Sequence, residues 1–167
     1  MKVENPKDVF VMLLSNVRRT TERTNTILNE LSQVAQEPEI KEALEARVFV
    51  SKRTIEKIDE AFRLIGEKPM ELTGKLQDVF VEDFRRELAE LKAPPVRHLF
   101  ILSKAIHLTH LRIGEFIALI AAADFTRHFG VGVLIESCLA DDLAFVERTR
   151  RLLRRLAEVK LAAKVGA

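Results

Sequence analysis

The chain has 167 residues, 27 basic and 25 acidic, for a net charge of +2. That is one domain, residues 1–167, long enough to bury a real core and ordinary in composition for a soluble protein. A single cysteine, Cys138, excludes an internal disulfide and suits the cytoplasm; residues 1–8 lack the apolar run of a secretory signal, and the longest uncharged apolar stretch, residues 116–123, is too short to span a bilayer, so no membrane partner is expected.

Six glycines and five prolines leave room for long uninterrupted elements. The first helix opens at Asn5-Pro6-Lys7-Asp8. Asn5 can cap free amides, Pro6 fits the first helical position, and Asp8 suits the positive helix end. Val9, Phe10, Leu13, Leu14, Val17, Ile27, Leu28, Leu31 and Val34 then recur at helical period, interrupted by Thr20, Thr21 and Thr24. A second helix restarts at Glu37-Pro38 and runs to about Ile65, where Gly66 and Pro69 stop it. The short link makes these two helices antiparallel neighbours. A third, shorter helix is predicted over residues 74–92, ended by Pro94-Pro95. The fourth, over residues 96–123, is apolar around most of its circumference, as expected of a central bundle helix. Residues 124–132, with two glycines, read as a break. The fifth helix is predicted over residues 133–159. The pattern predicts an all-α protein: two antiparallel hairpins forming a four-helix bundle, with an additional short helix in the crossover.

Three stretches carry a resemblance along roughly residues 6–158. They are Lys7-Asp8-Val9-Phe10-Val11-Met12-Leu13-Leu14-Ser15, the run from Thr54-Ile55-Glu56-Lys57-Ile58-Asp59 to Gly66-Glu67-Lys68-Pro69, and Lys104-Ala105-Ile106-His107-Leu108-Thr109. In order and spacing they resemble the YciE/YciF family of ferritin-like proteins. The resemblance implies a ferritin-like bundle, a link to stress, and two metal ions bound by carboxylates and histidine. The implied ligand positions are Thr21, Phe49, Lys52, Ile106 and Thr109, with an acidic stretch at Ala140, Asp141 and Asp142. At five of these the chain carries a hydroxyl, a phenyl, an ammonium, an aliphatic group and another hydroxyl, so the ligand set is largely missing. No acidic residue stands three places ahead of any of the four histidines, although Glu-x-x-His pairs are what such bundles use. Glu22 does not rescue Thr21, because adjacent helical residues point about 100° apart. No metal and no cofactor are therefore expected; the alternative is iron or manganese in a rebuilt site.

A charged core residue needs a partner. The expected substitute for the metal is a polar cluster in which Lys52 pairs with Asp141 or Asp142, with His110 and the threonines as hydrogen-bond partners. The competing reading is a solvated Lys52 and an ordinary core His110. His107 and His110 form a His-x-x-His pair that could hold a metal only with Asp141 or Asp142 as a third ligand. His98 and His128 read as surface residues near helix ends, and Cys138 as a small core hydrophobe. From Leu143 onward there are seven basic residues (Arg148, Arg150, Arg151, Arg154, Arg155, Lys160, Lys164) against two acids (Glu147, Glu158). With no aromatic residues interleaved for base stacking, these favour a solvated face or a subunit contact over nucleic acid.

The expectation is a non-catalytic structural or interaction protein that forms a homodimer through the apolar fourth helix, with an unidentified protein as a further partner. The alternatives are a metal-dependent oxidase or peroxidase, and a nucleic-acid binder using the basic C-terminal helix.

Overall fold

A computed structural model describes residues 4–72 and 75–165, apart from the side chains of 75–77 and 159–165. Five helices follow in order: α1 Pro6–Val34, α2 Pro38–Ile65, α3 Lys75–Glu90, α4 Pro94–Phe125 and α5 Phe129–Val165. The caps follow local chemistry. Asn5 accepts a hydrogen bond from the Asp8 amide at 3.0 Å, and proline stands in the first turn of α1, α2 and α4. Gly66 ends α2 in the left-handed conformation, φ 69°, and Glu67 N–H donates back to Phe62 at 3.1 Å.

Two boundaries differ from the sequence expectation. The break between the last two helices is only residues 126–128, so Gly130 and Gly132 lie in the first turn of α5. The turn closes because Arg127 adopts the left-handed conformation, φ 61°, letting His128 N–H reach Ala123 at 2.8 Å and Arg127 N–H reach Asp124 at 3.1 Å. This is the glycine-type helix ending with arginine in the glycine's place. α5 also runs on to Val165 rather than ending at Val159. Gly74, expected at the start of the third helix, lies outside the described residues, as do the side chains of Leu76, Lys160 and Lys164.

α1 pairs with α2 and α4 with α5, while α1 also packs on α4 and α2 on α5; α3 lies lightly against α1 and α4. The core forms two apolar clusters at opposite ends of the bundle. One joins Phe10, Leu14, Ile58, Phe116, Leu119 and Ile135. The other joins Leu28, Leu31, Leu44, Ile101, Leu108 and Leu152, with Phe84 of α3. Their membership fixes the helix directions. α1 and α5 run one way, α2 and α4 the other, and α3 carries the chain back along the bundle. Burying each such side chain contributes roughly 1.5–3 kcal/mol. α4 is long and apolar enough to cross a membrane by length and composition. Here it is a bundle helix, packed on α5 and α1, with Arg112 among its buried residues.

Candidate functional site: a buried guanidinium–carboxylate cluster

Between the two apolar clusters the bundle has a polar waist. α1 brings Thr20, Thr21 and Thr24; α2 brings Arg47, Ser51 and Thr54; α4 brings Thr109 and Arg112; α5 brings Asp142. All are buried. On α2 the inward face reads Ile40, Leu44, Arg47, Ser51, Thr54, Ile58, each three or four residues from the last, so helical spacing alone places the polar residues in the interior. Three of the threonines satisfy their hydroxyls locally. Thr21 donates to the Val17 carbonyl at 2.7 Å, Thr54 to Val50 at 3.2 Å and Thr109 to Ala105 at 2.8 Å.

Asp142 is the hub and is fully buried. Arg112 grips it with two parallel bonds, Nε to Oδ2 at 3.0 Å and Nη2 to Oδ1 at 2.5 Å. Such a fork gives both energy and fixed orientation. Arg47, on the opposite hairpin, donates through Nη2 to the same Oδ1. Arg112 Nη1 also reaches the Ser51 hydroxyl at 3.4 Å. The flat guanidiniums lie near rings, Arg112 5.8 Å from the centre of Phe116 and Arg47 5.5 Å from that of Phe145. These contacts favour a desolvated arginine. Burial raises the pKa of Asp142, and the charge and hydrogen bonds of Arg112 oppose that rise. Arginine keeps its proton in proteins. Asp142 therefore stands as the partner of two fixed cations.

Glu115 stands beside this cluster on the α1 side. It accepts the Thr20 hydroxyl at 2.6 Å and the Asn16 amide at 3.4 Å. Burial raises its pKa, while the Thr20 bond and the Arg112 charge act to lower it. Cys138 is buried, and desolvation pushes its thiol up to about 11, which leaves it protonated and unreactive.

The waist corrects the expected cluster. Lys52 is exposed and Phe49 is 62% exposed, because they follow Ser51 and Arg47 by one and two residues and so point away from the inward face. The expected Lys52 pair with Asp141 or Asp142 is replaced by Arg47 and Arg112 on Asp142. Asp141 lies at the surface, 3.3 Å from Lys57. His110, one residue past Thr109, is exposed; His107 is exposed too, edge-on to Phe80 of α3 at 5.5 Å. His107 borders Thr20 and Thr24 on the α1 side, whereas Asp141 faces α2, so the His107–His110–aspartate site is not assembled. Ile106 is half-buried, while Thr21, Thr109 and Asp142 do face the interior. His128, read as a surface residue, stacks on Phe10 at 5.2 Å. Sequence reasoning missed Arg47, Ser51, Arg112 and Glu115. The signal was present: Ile101 or Leu102, Ala105, Leu108, Arg112, Phe116 and Leu119 form one stripe on α4, with the arginine at its middle.

The terminal arginines are largely spoken for. Arg148 pairs with Glu42 and Arg155 with Glu39, both at 2.9 Å, and Arg150 and Arg151 share Glu147.

The donor set at the waist does not fit a di-metal centre. At its centre is one carboxylate, Asp142, already held by two guanidiniums, and the hydroxyls of Thr21, Thr54 and Thr109 are turned to their own helix backbones. Two permanent positive charges would repel a cation. Among the described residues no three His, Cys, Asp or Glu side chains group so as to hold one ion.

Residues 5–163 match the family described as a domain of unknown function, DUF892. The chain belongs to that family. Solved structures share the DUF892 protein's fold at low identity. The stress protein YciF of E. coli superposes with a TM-score of 0.87 at 18% identity, over 93% of this chain and 99% of that one. YcfI from Rhodopseudomonas palustris, described as having a proposed structural role, gives 0.85 at 17% identity, over 89% and 95%. A protein from Xanthomonas campestris gives 0.71 at 15% identity, over 94% and 99%. No curated protein sequence matches this chain. The family and the bundle are thus those the resemblance implied: a YciE/YciF-like, ferritin-like, all-α fold.

Proposed function

We propose that this DUF892 protein is a non-catalytic scaffold of the cytoplasm, a stress-associated member of its family in which an internal ion cluster stands where related bundles would hold metal. The observation that carries this reading is Asp142, fully buried and held by Arg47 and Arg112. A carboxylate so engaged is a structural strut between the two hairpins, not an open ligand. Elemental analysis of protein expressed with added iron and manganese tests it. The expected content is far below one equivalent per chain. One or two equivalents, lost in Asp142→Ala, would overturn it and make metal-dependent redox chemistry the leading reading.

The scaffold works as a homodimer through the outer face of the α4–α5 hairpin. Support comes from the exposed side chains Ile117 on α4 and Phe129, Val133 and Leu143 on α5. Apolar surface of this extent in two adjoining helices is normally covered by a partner. Light scattering should give twice the chain mass of 19.0 kDa, and Ile117→Asp should shift it toward the monomer. A monomer mass for the unaltered chain contradicts the dimer.

A further inference from the structure

The cluster at the waist is unevenly balanced. Arg112 faces two carboxylates, Asp142 by direct bonds and Glu115 through space. Arg47 donates only to one oxygen of Asp142, through Nη2. Its Nε and Nη1 are buried and have no hydrogen-bond partner within the protein. The residue is 2% exposed, so its remaining N–H groups are shielded from bulk solvent. A cation buried with unmatched donors is costly and strongly favours an anionic acceptor.

Arg47 also forms part of the wall of a groove of about 220 Å³ between α2 and α5. Ala43, Ala46 and Ala144 keep that groove open, because larger side chains there would fill it, and Phe145 flanks the guanidinium. The charges at the rim largely cancel. Asp141 is matched by Lys57 at 3.3 Å and Arg148 by Glu42 at 2.9 Å. The buried cation in the wall of the groove is Arg47, and its Nε and Nη1 have no partner within the protein.

We propose that the α2–α5 groove is a binding site for a small oxyanion, a carboxylate or inorganic phosphate, held by the free N–H groups of Arg47. The volume suits a compact ion rather than a cofactor, since cofactor and drug-sized pockets begin at about 300 Å³. Binding there completes the hydrogen bonding of Arg47. Occupancy of the groove is thereby coupled to the stability of the whole bundle.

The test is thermal unfolding of the full chain in sodium acetate, in sodium phosphate and in sodium chloride at matched ionic strength. The unaltered protein should unfold about 4 °C higher in at least one oxyanion than in chloride. A rise in acetate alone identifies a carboxylate ligand, a rise in phosphate alone a phosphate. Arg47→Met should abolish the rise, and Ala144→Leu, which fills the groove while leaving Arg47 on Asp142, should abolish it too. Equal midpoints in all three salts, meaning that water alone serves Arg47, would overturn the site. So would a rise of the same size in Ala144→Leu, which decides the matter even if Arg47→Met does not fold.

Discussion

The ends and the waist of this bundle are made by the same helices from opposite chemistry. At the ends, residues such as Leu28 and Leu14 contribute by area and volume, each largely on its own account. At the waist, Arg47, Asp142 and Arg112 are stable only together, because each one's burial depends on the charge of the next. The ends can be altered one side chain at a time at proportionate cost, whereas the waist behaves as a unit.

The largest effect should come from taking the hub out of that unit. Asp142→Ala leaves two guanidiniums buried without a counter-charge and should cost about 4 kcal/mol in urea unfolding. Replacing the whole unit, Arg47→Met, Arg112→Met and Asp142→Leu together, should recover most of that loss, because paired removal also removes the desolvation cost. If the triple variant is as weak as the single one, the three residues do not form the closed set described. At the end of the bundle, Leu28→Ala should cost about 3 kcal/mol and Leu28→Met under about 1.5 kcal/mol. Equal losses for the two would show that shape, not volume, governs the ends. Outside both regions, Arg127→Gly should raise stability by about 1 kcal/mol, since a left-handed φ of 61° strains any residue with a Cβ.

The smallest effect concerns pH and lies at the edge of the waist. Burial raises the pKa of Glu115 above the ordinary 4.5, so the folded chain holds this proton more tightly than the unfolded one. The resulting stabilisation is complete below pH 4.5 and is lost as the pH rises through the raised value. The stability of the unaltered protein relative to Glu115→Gln should therefore fall as the pH climbs from the acid side toward neutrality. A difference that stays flat, or rises, would place Glu115 in a more solvated or more strongly paired setting than the waist provides.

The helices were legible because long apolar periods, prolines at helix starts and Gly66 at a helix end are local signals. The last turn was not. Arg127 does what glycine usually does, so the two glycines beyond it drew the predicted break too far along the chain. The waist was half legible. The interrupting threonines of α1 and the position of Asp142 pointed to a polar layer. Its cations were misplaced because the resemblance carried a ligand position onto Lys52, although the α2 stripe decides which side chains turn inward. Centring it on Leu44, Arg47, Ser51, Thr54 and Ile58 puts an arginine in the core, against the usual preference of charge for water. Tertiary pairing with Asp142, distant in sequence, is what overrides that preference, and no local pattern reveals a partner 95 residues away.

The most direct test of the central claim is the urea midpoint of the unaltered protein, measured with excess manganese or iron and again with a chelator. A waist closed by Arg47, Asp142 and Arg112 predicts the same midpoint in all cases. A midpoint raised by metal and lowered by the chelator, with the response lost in Asp142→Ala, would show that the bundle holds a metal centre after all.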